Sequence, residues 1–197
     1  SPHTPIAPSP RWQGQSGIGP YGDFVMETDW VVGEVLAELA FRNIDSQTLV
    51  VFTADNACSP RADLPALEAL DHRPNGELRG TKADIFEGGT RVPFLSRWPG
   101  VVPANRKTEA MVSVVDFYAT LADLLAVDTA LAPPQAEDSQ SFLDALLGES
   151  EDARQSVITH SIRGRFAIRR GPWKLALCPG SGGWSEPRHQ EAEADES

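Results

Sequence analysis

The sequence of 197 residues contains little cysteine, few basic residues and no long apolar run. Its 2 cysteines, Cys58 and Cys178, cannot form a disulfide framework, and neither has a zinc-like spacing from a histidine. Lysine and arginine number 17 against 28 acidic residues, and the net charge of −11 argues against nucleic acid or an anionic membrane as a partner. No stretch approaches the roughly 18 consecutive apolar residues of a membrane-spanning helix. With an apolar fraction of 41%, we expect an ordinary globular fold.

A short run of apolar and β-branched residues at 48–53 predicts a strand buried on both faces of a mainly parallel sheet. Asp55 and Asn56 follow it directly, at the strand end where ligands gather in open α/β sheets. A carboxylate beside an amide oxygen suits a hard cation such as Ca²⁺ or Mg²⁺. The same pair is also typical of a simple Asx turn, so the dipeptide alone leaves both interpretations open.

A lysine flanked by glycine comes later in the chain. Lys82 ends the sequence RGTK at 79–82, and EGGTRVP follows at 87–93. Glycine allows close backbone approach, and a lysine ammonium is a compact partner for an anionic ester oxygen. A surface lysine with no role is the alternative.

These segments, FTADN at 52–56 and LRGTKADIFEGGTRVPFLSRWPG at 78–100, resemble the metal-binding and substrate-binding half of the type I sulfatases. These are arylsulfatase-like enzymes of the alkaline-phosphatase-like superfamily. The resemblance extends from His3 to about Asp123, with a weaker continuation to Trp184. It implies an α/β fold: part of an alkaline-phosphatase-like, mainly parallel sheet flanked by helices, plus a small C-terminal antiparallel subdomain.

The resemblance also implies site roles. Asp55 and Asn56 would ligate a divalent cation, Ca²⁺ with Mg²⁺ as the alternative. Lys82 would contact the sulfate, and His3, in a His-x-Pro context, would bind the sulfate ester and protonate the leaving oxygen. His3 and Lys82 are thus the expected catalytic residues and also the expected substrate-binding residues. The expected partner is a sulfate ester, with sulfated carbohydrates among the candidates.

Two positions depart from the family pattern. Ala57 stands where the family usually has glycine after the Asp-Asn pair, which would cost about 1 kcal/mol if the backbone there requires a positive φ. Cys58-Ser59-Pro60-Arg61 is similar to the Cys- or Ser-x-Pro-x-Arg signature whose first residue becomes formylglycine. Its arginine comes one place early, and the segment follows the metal pair instead of preceding it. We therefore do not expect Cys58 to be the nucleophile.

Family members are considerably longer than this chain, which begins within a motif at Ser1. We expect it to be the C-terminal part of a longer protein, with the formylglycine on the missing N-terminal half. The 197 residues alone are then expected to be inactive. The resemblance alone suggests a periplasmic or extracellular location.

The chain divides into four parts by composition and pattern. We expect residues 1–127 to form the C-terminal part of the catalytic domain, 128–140 a linker, 141–185 the small antiparallel subdomain and 186–197 a disordered acidic tail. Hydrophobic periodicity predicts helices at 23–41 and 113–126, the second with Val115, Leu121, Leu124 and Leu125 facing inward. A further short helix is predicted at 63–70, and strands at 91–97, 157–160, 166–169 and 173–177.

The prediction is a sulfuric ester hydrolase that carries part of the metal and sulfate site. One alternative is a phosphoesterase or phosphonate hydrolase of the same superfamily. Another is a non-catalytic carbohydrate-binding domain that uses Trp12, Trp98, Trp173 and Trp184 as stacking platforms. His160, on a predicted strand, could approach the site, but a structural hydrogen bond is the more common use of such a residue.

Overall fold

The structure, a computed structural model, describes residues 2–127, 136–151 and 153–188. The described helices are α1 (Pro20–Phe41), α2 (Leu64–Ala69), α3 (Glu87–Thr90), α4 (Phe117–Leu124) and α5 (Leu143–Leu147). The described strands are β1 (Val50–Thr53), β2 (Phe94–Arg97), β3 (Ser156–His160), β4 (Phe166–Arg170) and β5 (Trp173–Ala176). In this part of the chain, no helix is both long and apolar enough to cross a membrane. Helices and small sheets alternate, which confirms the α/β class.

The predicted central strand is β1, and it pairs antiparallel with β2, Val50 opposite Arg97. The expectation that this strand is buried on both faces is wrong for this chain. Phe52 and its cross-strand partner Leu95 remain 37% and 59% exposed. The reason is that β1 has a single hydrogen-bonded neighbour among the described strands, so the pair forms a narrow ribbon that neighbouring elements cover only partly.

Helix α1 confirms the first predicted helix. Pro20 occupies its first turn, where the missing N–H costs nothing, and the carboxylate of Asp23 accepts hydrogen bonds from the Gly14 and Ser16 N–H groups at 2.8 Å each. These bonds, led by that from Ser16, lower the pKa of Asp23. They tie the N-terminal loop that carries the candidate histidine to α1.

The main apolar core is a cluster of three phenylalanines. Phe94 on β2, Phe117 on α4 and Phe142 before α5 have ring centroids 5.6 to 5.8 Å apart. Phe142 is only 3% exposed. Residues 141–147 therefore pack against elements of the first domain. The domain boundary at residue 141 stays a prediction.

Helix α4 confirms a helix within 113–126, and the capping box of Ser113 and Asp116 is formed. The predicted inward row is wrong at three of its four positions. Val115, Leu121 and Leu125 are at least 42% exposed, and only Leu124 is partly buried. The side that faces the core instead carries Phe117 and Thr120, and the Thr120 hydroxyl accepts a hydrogen bond from the Phe142 N–H at 3.1 Å.

Strands β3, β4 and β5 form an antiparallel sheet in that order, which confirms the small C-terminal antiparallel subdomain. Arg169 on β4 and Lys174 on β5 both pair with Glu87, at the start of α3. Burial opposes ionisation of Glu87, but these two cations together hold the pKa of its carboxyl below the ordinary value. The sheet is thus fastened to the segment that follows the candidate lysine.

Most of the predicted linker and tail lies outside the described residues. At the linker end, the Gln140 N–H donates to the carboxylate of Asp116 at 3.0 Å, and that carboxylate also pairs with Arg154. At the start of the tail, the Pro187 carbonyl accepts a hydrogen bond from the Ser181 N–H at 2.8 Å.

Candidate functional site

All four predicted site residues line one cavity of about 400 Å³. His3 comes from the N-terminal loop, Asp55 and Asn56 from the end of β1, and Lys82 from the loop before α3. Tyr21, Cys58, Asn75 and Arg91 are further polar residues in its lining. The fold thus brings together three segments that are far apart in sequence.

Lys82 and His3 face each other, with Lys82 Nζ 3.2 Å from His3 Nε2. His3 Nδ1 lies 3.0 Å from the carbonyl oxygen of Thr4, which can only accept a hydrogen bond. The proton of the neutral ring therefore lies on Nδ1, and Nε2 accepts from the Lys82 ammonium. Lys82 can donate to an anion that replaces this contact, and His3 can donate to it through Nε2 when the ring carries a second proton.

Asp55 and Asn56 occupy the loop directly after β1, Asp55 exposed and Asn56 partly buried. The loop is held from behind, since the Ala57 N–H donates to the Gly89 carbonyl at 3.3 Å and the Cys58 N–H to the Asn75 side-chain oxygen at 3.2 Å. Ala57 is not among the residues with positive φ, so the strain expected from the absence of glycine does not arise.

The fit of Asp55 and Asn56 to a divalent cation is partial. They offer a carboxylate and an amide oxygen, the ligand types that Ca²⁺ and Mg²⁺ prefer. Ca²⁺ takes about six to eight oxygens. Within residues 2–127, 136–151 and 153–188, no group of three or more His, Cys, Asp or Glu side chains is close enough to hold an ion. The two residues fit as one side of such a site, and the remaining oxygens must come from other groups.

The Lys82 loop is bonded directly to the Asp55 loop. The Lys82 N–H donates to the Cys58 carbonyl at 2.9 Å, and the Asn75 amide donates to the Gly80 carbonyl at 3.0 Å. Asn75 thus bridges both loops. Asn75 was not among the predicted site residues, because a turn-forming Asn carries no local signal of such a role.

A buried carboxylate holds the turn that contains Lys82. Asp84 is 1% exposed and accepts hydrogen bonds from the N–H groups of Thr81 at 2.8 Å, Trp184 at 2.8 Å and Ser185 at 3.0 Å. The Ser185 hydroxyl also donates to it. The turn is therefore fixed to the segment that follows β5. Asp84 was not predicted, because two of its partners, Trp184 and Ser185, lie about a hundred positions away.

Helix α3 packs against the same turn through glycine. A Cβ on Gly88 would lie 2.2 Å from the Gly80 carbonyl oxygen, and one on Gly89 2.5 Å from the Thr81 carbonyl oxygen. Contacts this short exclude any side chain. Ala83, next to Lys82, has a φ of 84°, a left-handed conformation that is unfavourable for alanine. The backbone around Lys82 is therefore closely constrained on both sides.

Tyr21 and Cys58 are neighbours in the cavity wall. Burial raises the pKa of the Cys58 thiol, with the Tyr21 hydroxyl opposing part of the rise. Burial and the contact with Cys58 likewise raise the pKa of Tyr21. Both groups are protonated at neutral pH, so Cys58 is not poised as a thiolate. Tyr21 was absent from the predicted site because it lies in the first turn of α1.

Two other histidines lie outside the lining of this cavity. His160 has its Nδ1 2.9 Å from the carbonyl oxygen of Ser161 and its ring beside Phe166. His72 follows α2, with its ring near Tyr21. Arg91, at the start of the predicted strand 91–97, does line the cavity.

Comparison with known proteins gives a consistent match. The sulfatase family model matches residues 1–127. An N-acetylgalactosamine-6-O-sulfatase of Bacteroides thetaiotaomicron is 38% identical over 177 residues, covering 87% of this chain and 34% of that protein. Human arylsulfatase A is 34% identical over 176 residues, covering 84% of this chain and 32% of that protein.

Solved structures agree with these relatives. One, from work on the metabolism of multiple glycosaminoglycans by Bacteroides thetaiotaomicron, superposes with a TM-score of 0.83 at 34% identity, covering 97% of this chain and 40% of that chain. A sulfatase from Pseudoalteromonas superposes with a TM-score of 0.74 at 25% identity, covering 89% of this chain and 34% of that chain. This chain thus spans about a third of the length of the curated relatives it matches.

Proposed function

Because this chain belongs to the sulfatase family, we propose that the full-length protein hydrolyses sulfate esters, with the cavity of His3, Asp55, Asn56 and Lys82 as part of its active site. The observation that carries the proposal is the convergence of these residues. Lys82, which can donate to an anion, and His3, which can do so when its ring carries a second proton, lie 3.2 Å apart in the cavity that also contains the candidate metal ligands.

Lys82 would hold the sulfate. Its ammonium takes part in none of the ion pairs found among the described residues, although the chain as a whole is strongly acidic. In the absence of substrate, His3 Nε2 accepts its hydrogen bond. A sulfate oxygen, which is negatively charged, is a stronger acceptor than a neutral imidazole nitrogen. Binding of the ester would therefore transfer the Lys82 hydrogen bond from His3 to the sulfate.

His3 would act as the general acid. The Thr4 carbonyl keeps a proton on Nδ1, so a second proton on Nε2 makes the ring cationic and turns both nitrogens into donors. The bound sulfate favours this cation because its charge is opposite. Nε2 could then give its proton to the leaving oxygen as the ester bond breaks.

Asp55 and Asn56 would hold one side of a divalent cation, for which we propose Ca²⁺. Such a cation supplies Lewis-acid stabilisation of charge on the sulfate when it is bound. We expect the formylglycine to come from a Cys- or Ser-x-Pro-x-Arg segment elsewhere in the full-length protein. Cys58 lacks that spacing, and its raised pKa keeps it a protonated thiol.

The substrate class we propose is a sulfated carbohydrate. One relative named above is an N-acetylgalactosamine-6-O-sulfatase, and a further structure with a TM-score of 0.67 and 25% identity holds a neocarrahexaose. That structure covers 89% of this chain and 39% of its own. These two proteins support a sugar ester as the natural substrate.

The test is a matched assay of the full-length protein on 4-nitrophenyl sulfate and 4-nitrophenyl phosphate, with and without a chelator. We expect metal-dependent cleavage of the sulfate ester. The changes Lys82→Ala and His3→Ala should each lower kcat/KM by about 10²-fold or more. Lys107→Ala and His160→Ala are the matched controls, since both residues are exposed and lie outside the cavity lining.

Preferential cleavage of the phosphate ester would favour the phosphoesterase alternative. Cleavage of neither aryl ester, and none of N-acetylgalactosamine 6-sulfate, would favour a carbohydrate-binding domain. Full activity of the Lys82→Ala protein would contradict the proposed site even if sulfate is cleaved. Sulfatase turnover by the 197 residues alone would contradict the expectation that the nucleophile lies outside them.

A further inference from the structure

A second cavity, of about 410 Å³, adjoins the first across His3 and Lys82. Its wall adds Arg61 and Trp184 to these two residues. The remaining lining residues are Thr4, Ser59 and Pro60. The volume lies within the range of about 300–1,000 Å³ that is usual for small-molecule sites. The two groups proposed to bind the sulfate thus have open space on a second side.

Trp184 is held in this wall while its ring stays open to solvent. It is 41% exposed although residues 181–183 before it are buried. Its backbone N–H donates to the buried Asp84 carboxylate at 2.8 Å. A Cβ on Gly183 would lie 2.5 Å from the Ala83 carbonyl oxygen. The backbone is therefore fixed against the Lys82 turn. An indole ring that stays exposed in the same cavity as Lys82 and His3 can stack on the apolar face of a sugar ring.

Arg61 supplies a charge on the same cavity. It is exposed and lies on the short helical turn Pro60–Ala62. Its backbone N–H donates to the Ser59 hydroxyl at 3.2 Å. None of the ion pairs among the described residues includes it. In a chain of net charge −11, a guanidinium without a carboxylate partner beside a cavity is available to an anion. Its fork matches a carboxylate or a sulfate.

We propose that the second cavity receives the sugar ring of a sulfated saccharide, with Trp184 stacking on the ring and Arg61 binding a second anionic group of the same molecule. The inference rests on the proposed function, because the sulfate must occupy the neighbouring cavity at Lys82 and His3. The second anion is a carboxylate or another sulfate. The two cavities would then divide the substrate between them, the sulfate in one and the ring in the other.

The stacking role is tested in the full-length protein with Trp184→Ala and Trp184→Phe. For N-acetylgalactosamine 6-sulfate we expect about a tenfold loss of affinity and of kcat/KM in the alanine protein, and recovery to within about threefold in the phenylalanine protein. Inorganic sulfate has no ring, so its inhibition constant should change by less than about twofold. Trp173→Ala, at a tryptophan that is 78% exposed and outside both cavities, is the control.

The charge role is tested with Arg61→Ala on three substrates: the sulfated monosaccharide, a disaccharide that adds a uronate, and one that adds a second sulfate. We expect a loss of about 10- to 100-fold for whichever disaccharide carries the matching anion. The loss should shrink in high salt, and the monosaccharide should be affected least. Arg42→Ala is the control, since Arg42 pairs with Glu38 at the end of α1.

Equal affinity of the Trp184→Ala and unchanged proteins for the sulfated sugar would overturn the stacking role. Parallel loss of affinity for inorganic sulfate would overturn it too, because that result indicates collapse of the Lys82 turn. An equal effect of Arg61→Ala on all three substrates would overturn the second-anion role. If the protein hydrolyses no sulfate ester, the proposed function is wrong, and equilibrium binding of the same sugars still decides this inference.

Discussion

The turn around Lys82 and the phenylalanine cluster both contain buried side chains, but they are held by different forces. Around Lys82 several buried side chains are polar, notably Asp84 and Ser181, and they bond to backbone groups. In the cluster, Phe94, Phe117 and Phe142 meet through their rings. Hydrogen bonds are directional, whereas apolar burial is not. We therefore expect the polar region to fix positions and the aromatic region to contribute more to stability.

The largest effect tests the aromatic side of this comparison. Phe142→Ala should lower the free energy of unfolding by about 3–5 kcal/mol, because it removes the ring that contacts both other members of the cluster and leaves a cavity. Denaturant unfolding measures it. Phe166→Ala, at a phenylalanine that is 52% exposed, is the control and should cost far less. Equal losses in the two proteins would mean that the cluster is not the main core.

Asp84→Ala tests the polar side. The change leaves the N–H groups of Thr81, Trp184 and Ser185 without their acceptor, and we expect a loss of about 2–3 kcal/mol. Unlike Phe142→Ala, it should also weaken inhibition by inorganic sulfate under conditions where the protein is folded, because Lys82 loses its fixed position. Asp29→Ala, at an exposed position of α1, is the matched control. Unchanged sulfate inhibition would show that Lys82 does not depend on this carboxylate.

Acid should weaken the attachment of the small C-terminal sheet to the Lys82 region, because Glu87 joins that sheet to α3 through two ion pairs. Its pKa is lower in the folded chain than the ordinary 4.5, so its contribution is complete above about pH 4.5 and is lost as the pH falls through the folded value. Glu87→Gln should cost about 1 kcal/mol at pH 7. The free energies of unfolding of the Glu87→Gln and unchanged proteins, measured from pH 7 to pH 3, should become equal in acid. A constant difference across that range would contradict the ion-pair explanation.

The smallest effect sets the baseline for the comparison. The pair of Arg42 and Glu38 lies at the end of α1, with side chains 64% and 54% exposed. Arg42→Ala should change the free energy of unfolding by no more than about 0.5 kcal/mol, because solvent screens the pair. Thermal unfolding in low and high salt measures it. A loss comparable to that of Asp84→Ala would mean that this exposed ion pair contributes as much to stability as the buried hydrogen bonds of Asp84.

Local patterns predicted the elements well, but the packing poorly. The helix at 23–41, the capping box of Ser113 and Asp116, and the three C-terminal strands follow from spacing and turn chemistry. The side of α4 that faces the core was predicted wrongly. Periodicity marks several apolar rows on that helix, and the position of Phe142 decides which row is covered.

The candidate site divides in the same way. His3, Asp55, Asn56 and Lys82 were predicted because each lies in a motif that resembles the family, and the fold places all four in one cavity. Tyr21, Asn75 and Asp84 were missed. Their neighbours in the site are distant in sequence, and no local pattern marks a residue whose partners are chosen by the tertiary fold.

The sequence by itself determined the class of fold, the order of helices and strands, and the residue types available for binding an anion and a cation. These depend on short-range spacing and side-chain chemistry, which the chain carries locally. Only the tertiary structure decided that Lys82 faces His3 and that Asp84 fastens the Lys82 turn to the segment of Trp184. It also decided that Arg61 lines the second cavity beside them. Such contacts join residues up to about a hundred positions apart, and their geometry exists only after the segments have packed together.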